Sequence, residues 1–183
     1  MKIVSGAGRL VIGVSGSPGS LCAFRYSLLL AYRLDVPVAA ALAWVPPGGD
    51  LAERRCPVPE LRRAWADAAR RRLTEALHAA CGCIPAALDI SQVVIRGEPG
   101  PALVDVADRD GDVLVVGAGR RGALSRIWHG QVSRYCLSHA RCPVLAIPHP
   151  ATARELGLGS AAWPARRRDL SLDRALRDWD AAA

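Results

Sequence analysis

The sequence predicts an α/β fold, a doubly wound parallel sheet of five strands with helices on both faces. Short β-branched apolar runs alternate with longer helical patterns from residue 9 to residue 148, in the order βαβαβαβαβ. The runs are apolar at successive positions, "VPVAAALAWV" (36 to 45) most plainly, so both faces of such a strand are covered, as in a parallel sheet. A glycine-bearing segment, "GAGRRGALSRIWHGQVS" (117 to 133), leaves the apolar run "DVLVV" directly. Parallel strands joined by right-handed crossovers hold their ligands beyond the strands' carboxyl ends, at the topological switch point.

Each element has its own signal. "RLVIGVS" (9 to 15) is a buried strand stopped by the turn signals "GSPGS", and Ser17 or Ser20 caps a helix over 21 to 34. The strand 36 to 45 stops at "PPGGD" and is followed by a loop containing Cys56 and Pro59. In the helix 60 to 82, Leu61, Ala64, Trp65, Ala68, Leu73 and Leu77 fall near helical spacing with arginines opposite, and Gly82 ends it. "ISQVVIR" (90 to 96) is a strand, and 97 to 110 leads through Pro99 and Pro101 into a short helix, where a missing N–H is harmless. The strand 112 to 118, the helix 131 to 140 and the strand 142 to 148, interrupted by Pro148, complete the series. Residues 1–148 therefore form one domain. Residues 149–183 are a basic tail with a short helix near 171 to 180, where Leu172, Ala175, Leu176 and Trp179 make one stripe.

A chain of 183 residues, 51% hydrophobic and 22% charged, buries one good core and is too short for two comfortable domains. Its 24 Lys and Arg against 17 Asp and Glu give a formal charge of +7. That balance suits an anionic partner, yet a high-GC genome also enriches Arg and Ala, so no specific nucleic acid is expected. Six cysteines (Cys22, Cys56, Cys81, Cys83, Cys136, Cys142) include no CxxC pair and are expected as free thiols. "CGC" (81 to 83) looks exposed, but it needs His78 and a fourth ligand to hold zinc, so no structural metal is expected. The N-terminus lacks the features of a signal peptide and no run approaches a membrane span, which makes the cytoplasm the expected location and a membrane an unexpected partner.

The segment 117 to 133 is the candidate phosphate loop. Glycines 117, 119, 122 and 130 allow close backbone approach. The amides of Gln131, Val132 and Ser133 at a helix start attract an anion, and Arg120, Arg121 and Arg126 can pair with phosphate oxygens. No G-K-[ST] follows, which argues against a magnesium-dependent NTPase. The structural alternative is that Gly117 ends a strand, Gly130 lets a helix pack closely and the arginines form a solvated rim. His129 has no paired carboxylate, nucleophile elbow or metal spacing around it, and His78 and His139 are structural or exposed. Asp105, Asp108, Asp110 and Asp112 are read as helix-end solvation and loop chemistry, and "ARRRD" (165 to 169) as a solvated charge run.

Three stretches, "VIGVSGSPGS", "ALAWV" and "VVGAGRRGALSRIWHGQVSRYCLSHARCPVLAIP", resemble a universal stress protein domain over about residues 9 to 148. The resemblance implies strand order 3-2-1-4-5 and, for many members, ATP binding through G-x-x-G, nine residues, then G-S/T. Gly117 and Gly130 match the first and last glycines, while Arg120 stands at the second and Gln131 at the closing Ser/Thr. Ser15 takes the place of the first-strand acidic residue beside the adenosine, and Ala43, after Leu42, that of the second-strand adenine contact. The implied cofactor-binding set is Gly13, Ser15, Ala43, Gly117, Gly119, Arg120, Gly130, Gln131, Val132 and Ser133, with ATP or ADP as the ligand. The apolar stretch 143–147 then lies at a sheet edge, where pairing with a second copy gives a homodimer. The expected function is regulatory nucleotide binding between strands one and four. The alternatives are an empty-site dimer acting through protein partners and, less supported, a slow ATPase.

Overall fold

The first strand, β1 (Arg9–Gly13), is the centre of the sheet, and its alternation divides the core. Leu10 and Ile12 enter one hydrophobic cluster, and Val11 enters the other on the opposite face. The computed structural model describes residues 8–55, 57–82, 88–118 and 129–148. Along them run α1 (Pro18–Leu34), β2 (Val38–Trp44), α2 (Gly49–Arg55), α3 (Pro59–Cys81), β3 (Ile90–Arg96), α4 (Pro99–Val106), β4 (Asp112–Gly117), α5 (His129–His139) and β5 (Val144–Ile147). All strand pairs are parallel and the order is β3-β2-β1-β4-β5, the order the resemblance implies.

The same division runs through the neighbouring strands. Val38, Ala40 and Leu42 of β2, with Val113 and Val115 of β4, join the cluster under α1 and α3. Ala39 and Ala41, with Leu114 and Val116, join the cluster under α4 and α5. Buried apolar area on both faces is what holds a parallel sheet, at roughly 25 cal/mol per Å². The outer strands β3 and β5 are only half-buried, because each has a neighbour on one side alone.

Several elements differ from expectation for local reasons. Helix α1 starts at Pro18 because Ser17, in extended backbone, caps it: its side chain accepts the Ser20 N–H at 3.3 Å. Left-handed Asp35 closes it, donating its N–H to Ala31 O. The expected loop between β2 and α3 contains the seven-residue helix α2, whose Glu53 accepts a hydrogen bond from Arg62 Nε of α3 at 2.5 Å. The buried face of α3 is Ala69, Leu73, Ala76, Leu77 and Ala80, whereas Leu61 and Ala64 are exposed because the first turns extend past the sheet. Helix α5 begins at His129, ahead of the expected Gln131.

Asp112 is the clearest correction. Its side chain is 1% exposed, and it is paired rather than solvated. Its Oδ1 accepts from Arg9 Nε at 3.0 Å, and its Oδ2 from Arg9 Nη2 at 2.6 Å and the Arg109 N–H at 3.2 Å. Arg9 also donates to Val106 O at 3.0 Å. Arg9 and Asp112 are register partners at the starts of β1 and β4, so the parallel pairing itself brings the two charges together. The hydrogen bond to Asp112 raises the guanidinium pKa above its ordinary value against the opposing effect of burial.

Of the six cysteines, Cys22, Cys136 and Cys142 are free; Cys56 and Cys83 lie outside the described residues, as does the tail 149–183. The Cys81 thiol is half-buried and donates to Leu77 O at 3.0 Å. Burial pushes the Cys22 and Cys136 thiols up to about 11 and raises that of Cys142.

Candidate functional site: a cleft at the switch point

Two strand ends and one helix start build the site. A Cβ on Gly13, at the end of β1, would lie 2.7 Å from Leu103 Cδ1. One on Gly117, at the end of β4, would lie 2.9 Å from the backbone C and O of Gly19 in α1. At Gly13 the tip of Leu103 would have to shift, whereas Gly117 is required by close packing: the first turn of α1 comes down onto the end of β4 because no side chain intervenes. Beyond these contacts the connections from β1 and β4 leave to opposite faces of the sheet. The space between them is a cleft of about 480 Å³ at the strands' carboxyl ends.

The floor of the cleft is apolar, formed by residues such as Ala41, Leu42, Val116 and Leu103. Its polar groups are the hydroxyls of Ser15, Ser17, Ser20 and Ser133, together with Arg72 from α3. Ser15 Oγ lies 3.0 Å from Ser17 Oγ and 3.2 Å from Ser20 Oγ, and the Ser15 N–H donates to Ser20 Oγ at 3.2 Å. Ser133, on α5, donates its hydroxyl proton to Gly117 O at 2.7 Å, so toward a ligand this oxygen presents lone pairs. Arg72 is the one ionisable side chain among the described lining residues, and no described carboxylate faces the cleft. An apolar floor with hydroxyls and a single cation suits a planar apolar group carrying an anion.

Gly13, Ser15, Ala43, Gly117, Val132 and Ser133, all named from the sequence, line this one cleft. Gly130 and Gln131 fall in the first turn of α5, whose earlier start moves the unpaired helix amides toward residues 129–131. Gly119 and Arg120, with Arg121, Gly122 and Arg126, lie outside the described residues. Sequence reasoning missed Arg72, Gly19 and Pro99 as lining residues and assigned Ser17 and Ser20 to capping alone. The serines had a readable signal, since a cap at the end of the central strand lies at the switch point. Arg72 had none, because it is one of three consecutive exposed arginines, Arg70, Arg71 and Arg72, on α3. Among the described residues, no three His, Cys, Asp or Glu side chains converge to hold a metal, and no helix is long and apolar enough to cross a membrane.

A five-stranded parallel sheet of order 3-2-1-4-5, open at its switch point, defines a Rossmann-like doubly wound α/β protein. The chain belongs to the universal stress protein family, whose model matches residues 7–148. A curated relative, Universal stress protein Slr1101 of Synechocystis sp., is 40% identical over 57 residues, which cover 31% of this chain and 53% of that one. The chain thus spans about half the length of the curated relative it matches. Similar folds have been solved for hypothetical protein MJ0577 (TM-score 0.58, 14% identity, 78% of this chain and 96% of that one) and for UspA from Lactobacillus plantarum (TM-score 0.51, 20% identity, 76% and 96%). Another is a universal stress protein in complex with cAMP (TM-score 0.50, 24% identity, 78% and 97%).

Proposed function

We propose that the protein is a regulatory universal stress protein that binds an adenine nucleotide, ATP or ADP, in the cleft between the ends of β1 and β4. The observation that carries this reading is the character of the cleft: about 480 Å³, apolar beneath, with four serine hydroxyls and Arg72 and no described carboxylate. A phosphate group approaches the first turn of α5, where amides and dipole favour negative charge, and the base lies on the small side chains Ala41 and Ala43 of β2. Support of a more distant kind comes from the solved relative in complex with cAMP. In this reading binding is the function, and two copies pair along the half-buried edge of β5 to form a homodimer.

The experiment is direct. The purified chain is denatured and analysed for copurified nucleotide, and the nucleotide-free protein is titrated with ATP, ADP and cAMP by calorimetry. Saturable binding of an adenine nucleotide, lost on Gly13→Val, is the expected result. No binding of any of the three at millimolar concentration overturns it.

A second reading rests on the two strand-end glycines. Gly13 and Gly117 are both explained by packing, against Leu103 and Gly19, with no ligand needed. A dimer with an empty cleft, acting through a protein partner, accounts for them equally, and the same titration separates the two readings.

A further inference from the structure

The cleft has two places that favour negative charge, and they lie on opposite faces of the sheet. One is the first turn of α5, which packs with α4 over the cluster containing Val11, Ala39 and Leu114. The other is on the side of α1 and α3, which pack over the cluster containing Leu10 and Ile12; there Arg72 and the serines 15, 17 and 20 line the same space. Arg70 is occupied by Asp67 at 2.7 Å, whereas Arg72, two residues further along α3 and exposed, has no hydrogen bond or ion pair with any described residue. Neither the first turn of α1 nor the described lining of the cleft has a carboxylate to neutralise it.

In doubly wound folds that bind nucleotides, a carboxylate accepts hydrogen bonds from free ribose hydroxyls, and an arginine accommodates a phosphate carried on the ribose. The described lining has the arginine and lacks the carboxylate. Serine hydroxyls turn to donate or accept, so they meet phosphate oxygens without the repulsion that an anion would exert. Resting on the nucleotide reading above, we infer that the cleft selects an adenine nucleotide phosphorylated on two separate ribose hydroxyls, at the 5′ position and at the 2′ or 3′ position. The 5′ phosphate takes the start of α5, and the second phosphate takes Arg72 and the serine hydroxyls. Phosphates joined through a bridging oxygen, as in ADP and ATP, stay together and satisfy one of the two places. Phosphates on different carbons of the ribose satisfy both.

The test is calorimetric titration of the full chain with ADP, ATP, adenosine 3′,5′-bisphosphate and adenosine 2′,5′-bisphosphate, at matched ionic strength and without magnesium. At about pH 8, above a second phosphate pKa of about 6, ATP and the bisphosphates carry about four negative charges each, so comparing them reads placement and not charge. One of the bisphosphates is expected to bind at least about tenfold more tightly than ADP and ATP. Arg72→Gln should weaken ADP and ATP about tenfold, by removing the cation of the cleft, and the preferred bisphosphate about a hundredfold, by removing its paired group as well. Ser15→Asp, at an exposed position, should weaken that bisphosphate about tenfold and leave ADP within about twofold, since the new carboxylate repels a ribose phosphate and accepts from a free ribose hydroxyl. Bisphosphates bound no more tightly than ADP and ATP, or a preference that survives either substitution, overturn the inference and leave the nucleotide reading in place. No binding of any of the four at millimolar concentration overturns that reading and the inference with it. Binding of a bisphosphate alone upholds the inference.

Discussion

The two ends of the sheet handle charge in opposite ways. At the N-terminal end, Arg9 meets Asp112 in a closed pair: both carboxylate oxygens are occupied, and the guanidinium takes up Val106 O as well. At the C-terminal end, Arg72 lines the open cleft with no carboxylate among the described lining residues. The first arrangement neutralises itself and leaves no room for a third party. The second leaves positive charge directed at volume. Balanced, closed charge at one end holds strands in register; unbalanced, open charge at the other is suited to receive an anion.

Removing one member of the closed pair tests the contrast hardest. Asp112→Ala leaves Arg9, with a side chain 14% exposed, without its partner and should cost about 3–5 kcal/mol in urea unfolding. The double variant Arg9→Met/Asp112→Leu should cost less than that single change, since no charge remains to be buried. A loss below about 1 kcal/mol for Asp112→Ala would put the pair among ordinary surface ion pairs and end the comparison.

The next effect concerns the seam on which the cleft is built. Gly117→Ala pushes a methyl against the backbone of Gly19, which cannot move aside as a flexible side-chain tip could, and should destabilise by about 1–3 kcal/mol. A melting temperature equal to that of the native protein would mean that α1 can lift from β4 without penalty.

At the open end the signature is reversed: binding changes and stability does not. Arg72→Gln should weaken nucleotide binding about tenfold, or 1.4 kcal/mol, while shifting unfolding by less than about 0.5 kcal/mol. A large loss of stability with unchanged affinity would make Arg72 a structural residue.

The smallest effect comes from the thiols. Cys22 and Cys136 titrate at about 11 in the folded chain, above the value of 9.0 that applies when they are exposed. Their stabilising contribution is full below pH 9, where both states hold the proton, and is lost as pH rises toward 11, because the unfolded chain ionises first. Cys22→Ala/Cys136→Ala should flatten the alkaline limb of the stability profile; an unaltered slope between those pH values would assign it to other groups.

The sheet was legible because its signal is redundant. Five apolar runs with intervening helices leave few topologies, and shifts of boundary at Gly13 or Trp44 do not alter them. Helix α2 was not legible: "PPGG" and "CP" bracket it with turn signals, and seven residues are too few to form a helix on propensity alone. The contacts that Glu53 makes with α3 and β3 connect it to distant chain, and no local pattern reports them. Asp112 was misread for a related reason. It sits among other aspartates in the sequence, and only the parallel register with Arg9 distinguishes it. Half of the cleft was legible because glycines and serines at strand ends have local causes. Arg72 reaches the cleft from a helix that contributes nothing else to its lining, so its sequence neighbours carry no information about it.

The position of β1 also sets a timetable for biosynthesis. Its pairing with β2 joins neighbouring segments, but its other edge waits for β4, and Asp112 follows Arg9 by 103 residues. At about 5–20 residues per second, a ribosome needs roughly 5–20 s to make that interval. Throughout it the nascent chain carries the apolar strand "LVIG" with one edge unpaired, next to an arginine whose counter-ion has not been synthesised. The strand that becomes the most enclosed part of the molecule is thus made well before the strand that covers its second edge, and through that interval it presents an unpaired apolar edge.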